Sequence, residues 1–293
     1  MMKFRDQFLK IIISVLASLP LGVLYILSDA LAFLGRNIFH YRKEVIMRNL
    51  ESSFPEKEPA EIKKIARRFY RNLTDFAVEL IKSSRMPPEL LESRVVFKNK
   101  EVIDRFYEDG KSVFLSLGHC GNWEWVGNRV ALFLKHHGAA IYKPIHDPFF
   151  DRYMIGIRQK YKGTLMIDYK KVYRTLLPLK NQLYTVFVLA DQSPARTEID
   201  HFEEFLGQKT AFYNGMEKVA RGLGYAVAYL DVQRTKRGFY QVEVKTITKD
   251  AGIEPVGMIT TRYVKMLEAS IIRQPDNWLW SHRRWKQKEK KKS

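Results

Sequence analysis

His119 and Glu124 are the residues whose types and spacing suit proton-transfer chemistry. One ring nitrogen of a histidine can take a proton from a hydroxyl while a carboxylate holds the other as N–H. Five residues along an ideal helix rotate roughly 140° apart. The two side chains therefore meet only if His119 lies in a turn and the chain folds back at Gly121. The flanking residues permit this. Val113, Phe114, Leu115 and Leu117 form an apolar run of buried-strand length that ends at Gly118. Gly121 and Asn122 supply turn chemistry, and Asn122 is a good N-cap for the helical pattern Trp123, Val126, Val130, Ala131, Leu134. By spacing alone, a loop histidine followed by a glutamate favoured by the helix dipole fits equally well.

Three further groups carry usable chemistry. Asp191-Gln192 follows Leu183–Ala190, an apolar, β-rich run expected as a central strand; Asp191 is either a turn former or a side chain placed at a strand-end site. Lys143-Pro144 precedes a helix expected over Pro148–Tyr161. That helix carries Arg158, a forked donor for a phosphate or a developing oxyanion, or else a surface arginine. Trp280, Arg283, Arg284 and Trp285 lie in a segment of tryptophans and cations that suits a membrane interface, or an aromatic segment packed into the core. Lys286–Lys292 reads as a solvated basic tail. There is no G-x-S-x-G, P-loop, G-x-G-x-x-G or H-E-x-x-H. His136, His137, His146 and His201 lack metal-ligand spacing, so neither metal nor cofactor is expected.

Strands alternate with helices from Val95 onward: strands at Val95–Phe97, Ala139–Lys143 and Thr164–Ile167, helices at Lys100–Tyr107, Lys170–Leu179, Ala211–Leu223 and Met258–Ile272. Tyr225–Val232 and Gly238–Ile247 read as an antiparallel hairpin. This is an α/β pattern, with sites at strand ends. The chain divides into an N-terminal anchor (1–40), a basic helical region (41–88) and an α/β domain (89–293), with Met86-Pro87-Pro88 at the boundary.

A hydrophobic share of 46% excludes global disorder, and the single cysteine, Cys120, excludes an internal disulfide. A net charge of +18 predicts an acidic partner: nucleic acid, an anionic membrane, a phosphorylated substrate or an acidic carrier protein. Phe8–Phe33 carries only Lys10 and Asp29, and its uncharged stretch Ile11–Ser28 would be about 27 Å long as a helix. It reads as a membrane anchor, spanning or dipping with a kink at Pro20-Leu21-Gly22; a signal peptide and a buried core helix are the alternatives. The helix expected from Pro59 has an apolar stripe (Ile62, Phe69, Leu73, Phe76) and a basic face, either solvated or laid against headgroups.

The string GHCGNWE resembles the His-x4-Asp/Glu signature of the glycerolipid and lysophospholipid acyltransferases, and more closely the HFGNWE-type box of the late acyltransferases of lipid A biosynthesis. Cys120 stands where that family has an aromatic or aliphatic residue. Tyr142-Lys143-Pro144 with Arg158, Asp191-Gln192, the Phe205-Leu206-Gly207 to Asn214-Gly215 stretch and WLWSHRRWK are similar to further boxes of the family, in the same order. The resemblance implies a glycerolipid-acyltransferase-like mixed sheet flanked by helices, on an N-terminal membrane-anchoring helix. It implies an enzyme of the inner membrane, acting on its cytoplasmic face, that moves an acyl group from acyl carrier protein or acyl-CoA to a lipid hydroxyl. His119 would be the base, held by Glu124. Gly121 or Asn122 N–H groups or Arg158 would stabilise the oxyanion, Lys143, Asp191 and Gln192 would contact substrate or orient the base, and the helix after Asn214 would line the acyl pocket. Acceptors other than a lipid A precursor, namely a lysophospholipid or an aminolipid, fit the same box. A non-catalytic basic protein binding membranes or RNA is the reading outside the enzyme class; no nucleic-acid module supports RNA as a partner.

Overall fold

The computed structural model describes residues 4–199 and 201–286; Lys3 and the expected tail beyond Lys286 lie outside them. Four helices come first: α1 (Phe4–Ser18), α2 (Leu21–Asn37), α3 (Lys43–Ser53) and α4 (Pro59–Ser83). Then follow α5 (Pro88–Arg94), β1 (Val95–Phe97), α6 (Glu101–Glu108), β2 (Val113–Leu117), α7 (Trp123–Phe133), β3 (His137–Tyr142), α8 (Pro148–Arg158), β4 (Leu165–Asp168), α9 (Val172–Leu176) and β5 (Tyr184–Leu189). The chain continues through β6 (His201–Phe205), β7 (Gln208–Phe212), α10 (Gly215–Leu223), β8 (Ala226–Lys236), β9 (Phe239–Thr248) and α11 (Met258–Arg273).

Seven strands form one mixed sheet in the order β1-β9-β8-β2-β5-β3-β4, with β8 and β9 the only antiparallel neighbours. Every residue of β2 is buried, as expected of a parallel strand covered on both faces. The register pairs Leu117 of β2 with Leu189 of β5. His119 and Asp191 each lie two residues past that pair, so adjacent parallel strands roughly 4.8 Å apart deliver them side by side.

The N-terminal segment is not one anchor helix. α1 and α2 meet at a bend of 118° around Pro20, and among the described residues no single helix is long and apolar enough to cross a membrane. The Lys82 ammonium donates to the carbonyls of Ala17 and Leu19 at 2.9 and 2.8 Å, satisfying the end of α1 at the bend. Along this pair Phe4, Phe8, Ile11, Val15, Ile26 and Phe33 are all more than half exposed. α4 is integral to the fold: its stripe of Ile62, Ala66, Phe69 and Val78 is buried, and so is Glu79.

One hairpin was not anticipated. Residues 201–212 pair as antiparallel β6 and β7 through Leu206-Gly207, both at positive φ, and α10 begins only at Gly215 rather than at Ala211.

Candidate active site

At the carboxyl ends of β2 and β5 the His119 Nδ1 lies 2.5 Å from Asp191 Oδ1, and the His119 backbone N–H donates to Asp191 Oδ2 at 2.8 Å. The Trp278 indole N–H donates to the same oxygen at 2.7 Å. Burial alone would raise the Asp191 carboxyl; the imidazole beside it and these donors outweigh burial and hold it down at about 2. An ionised Asp191 fixes Nδ1 as the protonated nitrogen, so Nε2 is left with its lone pair. The Gln192 amide nitrogen is 3.2 Å from Nε2. Trp123 packs edge-on against the ring at 4.8 Å between centroids and stacks on Phe76 at 4.0 Å.

This arrangement corrects the expected pairing. The carboxylate on the His119 imidazole is Asp191, not Glu124. Glu124 takes a two-pronged ion pair from Arg158, Nε to Oε2 at 3.0 Å and Nη2 to Oε1 at 2.6 Å. Burial opposes the Arg158 charge, but the Glu124 carboxylate outweighs it and holds the guanidinium more firmly protonated.

The turn itself is built from the expected residues in other roles. Gly121 has φ +59°, and a Cβ there would press on Tyr240 and Val232, so glycine is required. Its N–H is spent on the Asn277 carbonyl at 2.9 Å and is no oxyanion donor. The fully buried Asn122 caps α7 by accepting from Trp125 N–H at 2.9 Å and donates to Glu79 at 2.8 Å. Sequence reasoning missed Glu79. It sits in α4 and also accepts from the Tyr25 and Tyr240 hydroxyls, at 2.8 and 2.7 Å. Burial raises its carboxyl, against these donors. The available signal was an acidic residue one helical turn after Phe76, on the apolar stripe of α4.

Two clefts flank Trp123, which lines both. One is a groove over His119 walled by Phe69, Leu73, Phe76, Trp278 and Leu279. The other lies beneath α7 and is partly open to solvent. Its walls are mainly apolar (Val130, Leu134, Ile141, Phe187, Leu189), and Glu124 and Arg158 are its charged residues. No residue of α10 lines either cleft. Lys143 is exposed in the loop after β3 and lines neither cleft.

The C-terminal segment is a buttress rather than a membrane face. Trp280 and Arg284 are 0% and 1% exposed. Arg284 donates to the Ala211 carbonyl at 2.8 Å and lies 4.3 Å over the Phe212 ring; burial lowers it to about 10. Trp285 is half-buried and donates to Thr210 at 2.8 Å, which leaves only Arg283 of the four exposed. His282, pushed down to about 4 by burial, accepts the Ser193 N–H at 3.2 Å and so pins the loop after Asp191. These tryptophans and cations fold inward because each indole N–H finds an internal acceptor.

The family model described as bacterial lipid A biosynthesis acyltransferase matches residues 3–287. No curated protein matches the chain.

Proposed function

The chain belongs to the bacterial lipid A biosynthesis acyltransferases, and on that premise we propose that it transfers a fatty acyl group from a thioester of acyl carrier protein or coenzyme A to a hydroxyl of a lipid A precursor, with His119 as general base oriented by Asp191. The observation that carries this reading is the 2.5 Å contact of His119 Nδ1 with a buried carboxylate, with Nε2 left as an acceptor beside an open groove.

The acceptor hydroxyl lies in the groove and displaces the Gln192 amide from Nε2. Its oxygen attacks the thioester carbonyl carbon as its proton passes to Nε2; Asp191 stabilises the imidazolium that forms. The Gln192 amide donates to the developing oxyanion. Collapse breaks the C–S bond, and the thiolate leaves with the proton from Nε2. The acyl chain occupies the apolar cleft under α7, where Glu124 and Arg158 mark the polar end.

The exposed apolar side chains of α1 and α2 support attachment to a membrane by a bent helix pair lying in one leaflet. A pair that enters and leaves the same leaflet keeps the catalytic domain on the cytoplasmic face of the inner membrane.

Purified protein offered labelled acyl carrier protein or acyl-CoA with a lipid A precursor, a lysophospholipid or an aminolipid tests the reading. Acyl transfer to the lipid A precursor is expected; product on the lysophospholipid alone rejects the acceptor assignment, and full turnover by a folded His119→Ala variant rejects the mechanism.

A further inference from the structure

A second polar groove lies on the other side of α4 from the His119 groove. Arg67, Tyr70 and Arg71 of α4 face Asp29, Phe33 and Arg36 of α2 across about 770 Å³ of open space. The side chains of Phe69, Leu73 and Phe76 on the same helix wall the reaction groove instead, so the two sites share a helix and no lining residue.

The charges in this groove are unbalanced. Asp29, its one carboxylate, is gripped by Arg237 at 2.8 and 2.9 Å and by Arg71 at 3.0 Å, so its charge is already answered. Arg67 and Arg36 have no carboxylate within ion-pair distance among the described residues; Arg36 donates only to the neighbouring Asn37 amide oxygen at 3.1 Å. Arg67 and Arg71 are four residues apart and so project from one helix face. The Tyr70 hydroxyl is turned away onto the Tyr41 carbonyl at 2.8 Å, which leaves cations to line the opening.

The apolar surroundings select the occupant. Phe33 is 59% exposed at the groove, and the exposed chains continue along α2 through Ile26 and beyond it to Ile38 and Phe39. A soluble anion would need the arginines alone. A bilayer lipid uses both features, its phosphate in the fork of guanidinium groups and its acyl chains beside the aliphatic and aromatic surface.

We propose that the α2–α4 groove, through Arg36, Arg67 and Arg71, binds the phosphate headgroup of an anionic phospholipid and so docks the protein selectively on anionic bilayers. This site is separate from the reaction groove and does not depend on the acyl-transfer chemistry. It refines the membrane attachment proposed above by naming the lipid class.

Full-length protein would be floated with vesicles of phosphatidylcholine alone or with one third phosphatidylglycerol. Wild type should bind the anionic vesicles about tenfold more tightly, and R36E/R67E should lose that preference while still binding phosphatidylcholine through α1 and α2. A milder R36Q/R67Q pair should lose part of it, and thermal unfolding reports whether each variant is folded. K98E/K180E makes the same change in net charge outside the groove and should keep the preference. The proposal is overturned by R36E/R67E that retains the preference, by K98E/K180E that loses as much of it, or by wild type that binds both vesicles equally. Tight binding of inorganic phosphate to the wild type without vesicles, lost in R36E/R67E, would assign the groove to a soluble anion instead. Absence of binding to phosphatidylcholine by every variant would remove the helix-pair attachment, and a surviving anionic preference would still support the groove.

Discussion

The two carboxylates beside Trp123 look alike in sequence and do different work. Asp191 is 2% exposed, holds a histidine and receives three donors. Glu124 is 6% exposed and holds an arginine in the lining of an apolar cleft. A carboxylate on an imidazole sets which nitrogen carries the proton; a carboxylate on a guanidinium fixes a permanent charge in place. On the mechanism proposed above, the first arrangement serves proton transfer and the second serves positioning.

Substitutions that remove one member of each pair separate these roles. Removing the base has the largest effect: a folded His119→Ala variant should lose about 10³-fold or more in kcat/KM for acyl transfer, measured at saturating donor. Asp191→Asn should follow at about 10²- to 10³-fold, mainly in kcat. Without the carboxylate neither the ring tautomer nor the imidazolium formed during transfer is supported, so KM for the acceptor should change little. Glu124→Gln should cost less in kcat than Asp191→Asn does. It strands a mostly buried guanidinium, so a stability loss of about 2–3 kcal/mol by denaturant titration is expected, largely recovered in Glu124→Leu/Arg158→Met. If folded Glu124→Gln lost more kcat than Asp191→Asn, the assignment of the two carboxylates would have to be exchanged.

The smallest effect concerns the support of Asp191. Its carboxyl sits lower in the folded protein (about 2) than in the unfolded chain, so it contributes stability above the unfolded value that is lost as pH falls from about 4 through 2. That contribution is roughly 2 kcal/mol. Trp278→Phe removes one of the donors and should narrow the acid-dependent loss by about 1 kcal/mol in urea titrations at pH 7 and pH 2, with a severalfold fall in kcat.

Much of the sheet was legible because it rests on local signals. The β2 run, the Asn122 cap, the Leu183–Ala190 strand and the β8–β9 hairpin all follow from apolar patterning and turn chemistry within a few residues. The partner of His119 was not local. It depends on β2 lying beside β5 in a register that aligns Leu117 with Leu189, and a spacing of five along the chain carries no information about a residue 72 positions away. The β6–β7 hairpin was lost for a related reason: HFEEF and QKTAF are too polar to announce strands, and the positive φ at Leu206 is not a leucine habit. The two ends of the chain were hard to tell apart by hydrophobicity. The aromatic WLWSHRRW segment turns inward because its indoles and Arg284 find internal acceptors, whereas α1 and α2 keep apolar side chains exposed.

Trp123 is a shared partition: one indole supports the imidazole on one side and closes the chamber under α7 on the other. A guest in the chamber that presses on this indole therefore pushes on the plate against which His119 rests. Donors of unsuitable length would then be rejected through a tilted ring and a slow turnover, even when they bind as tightly as the preferred one.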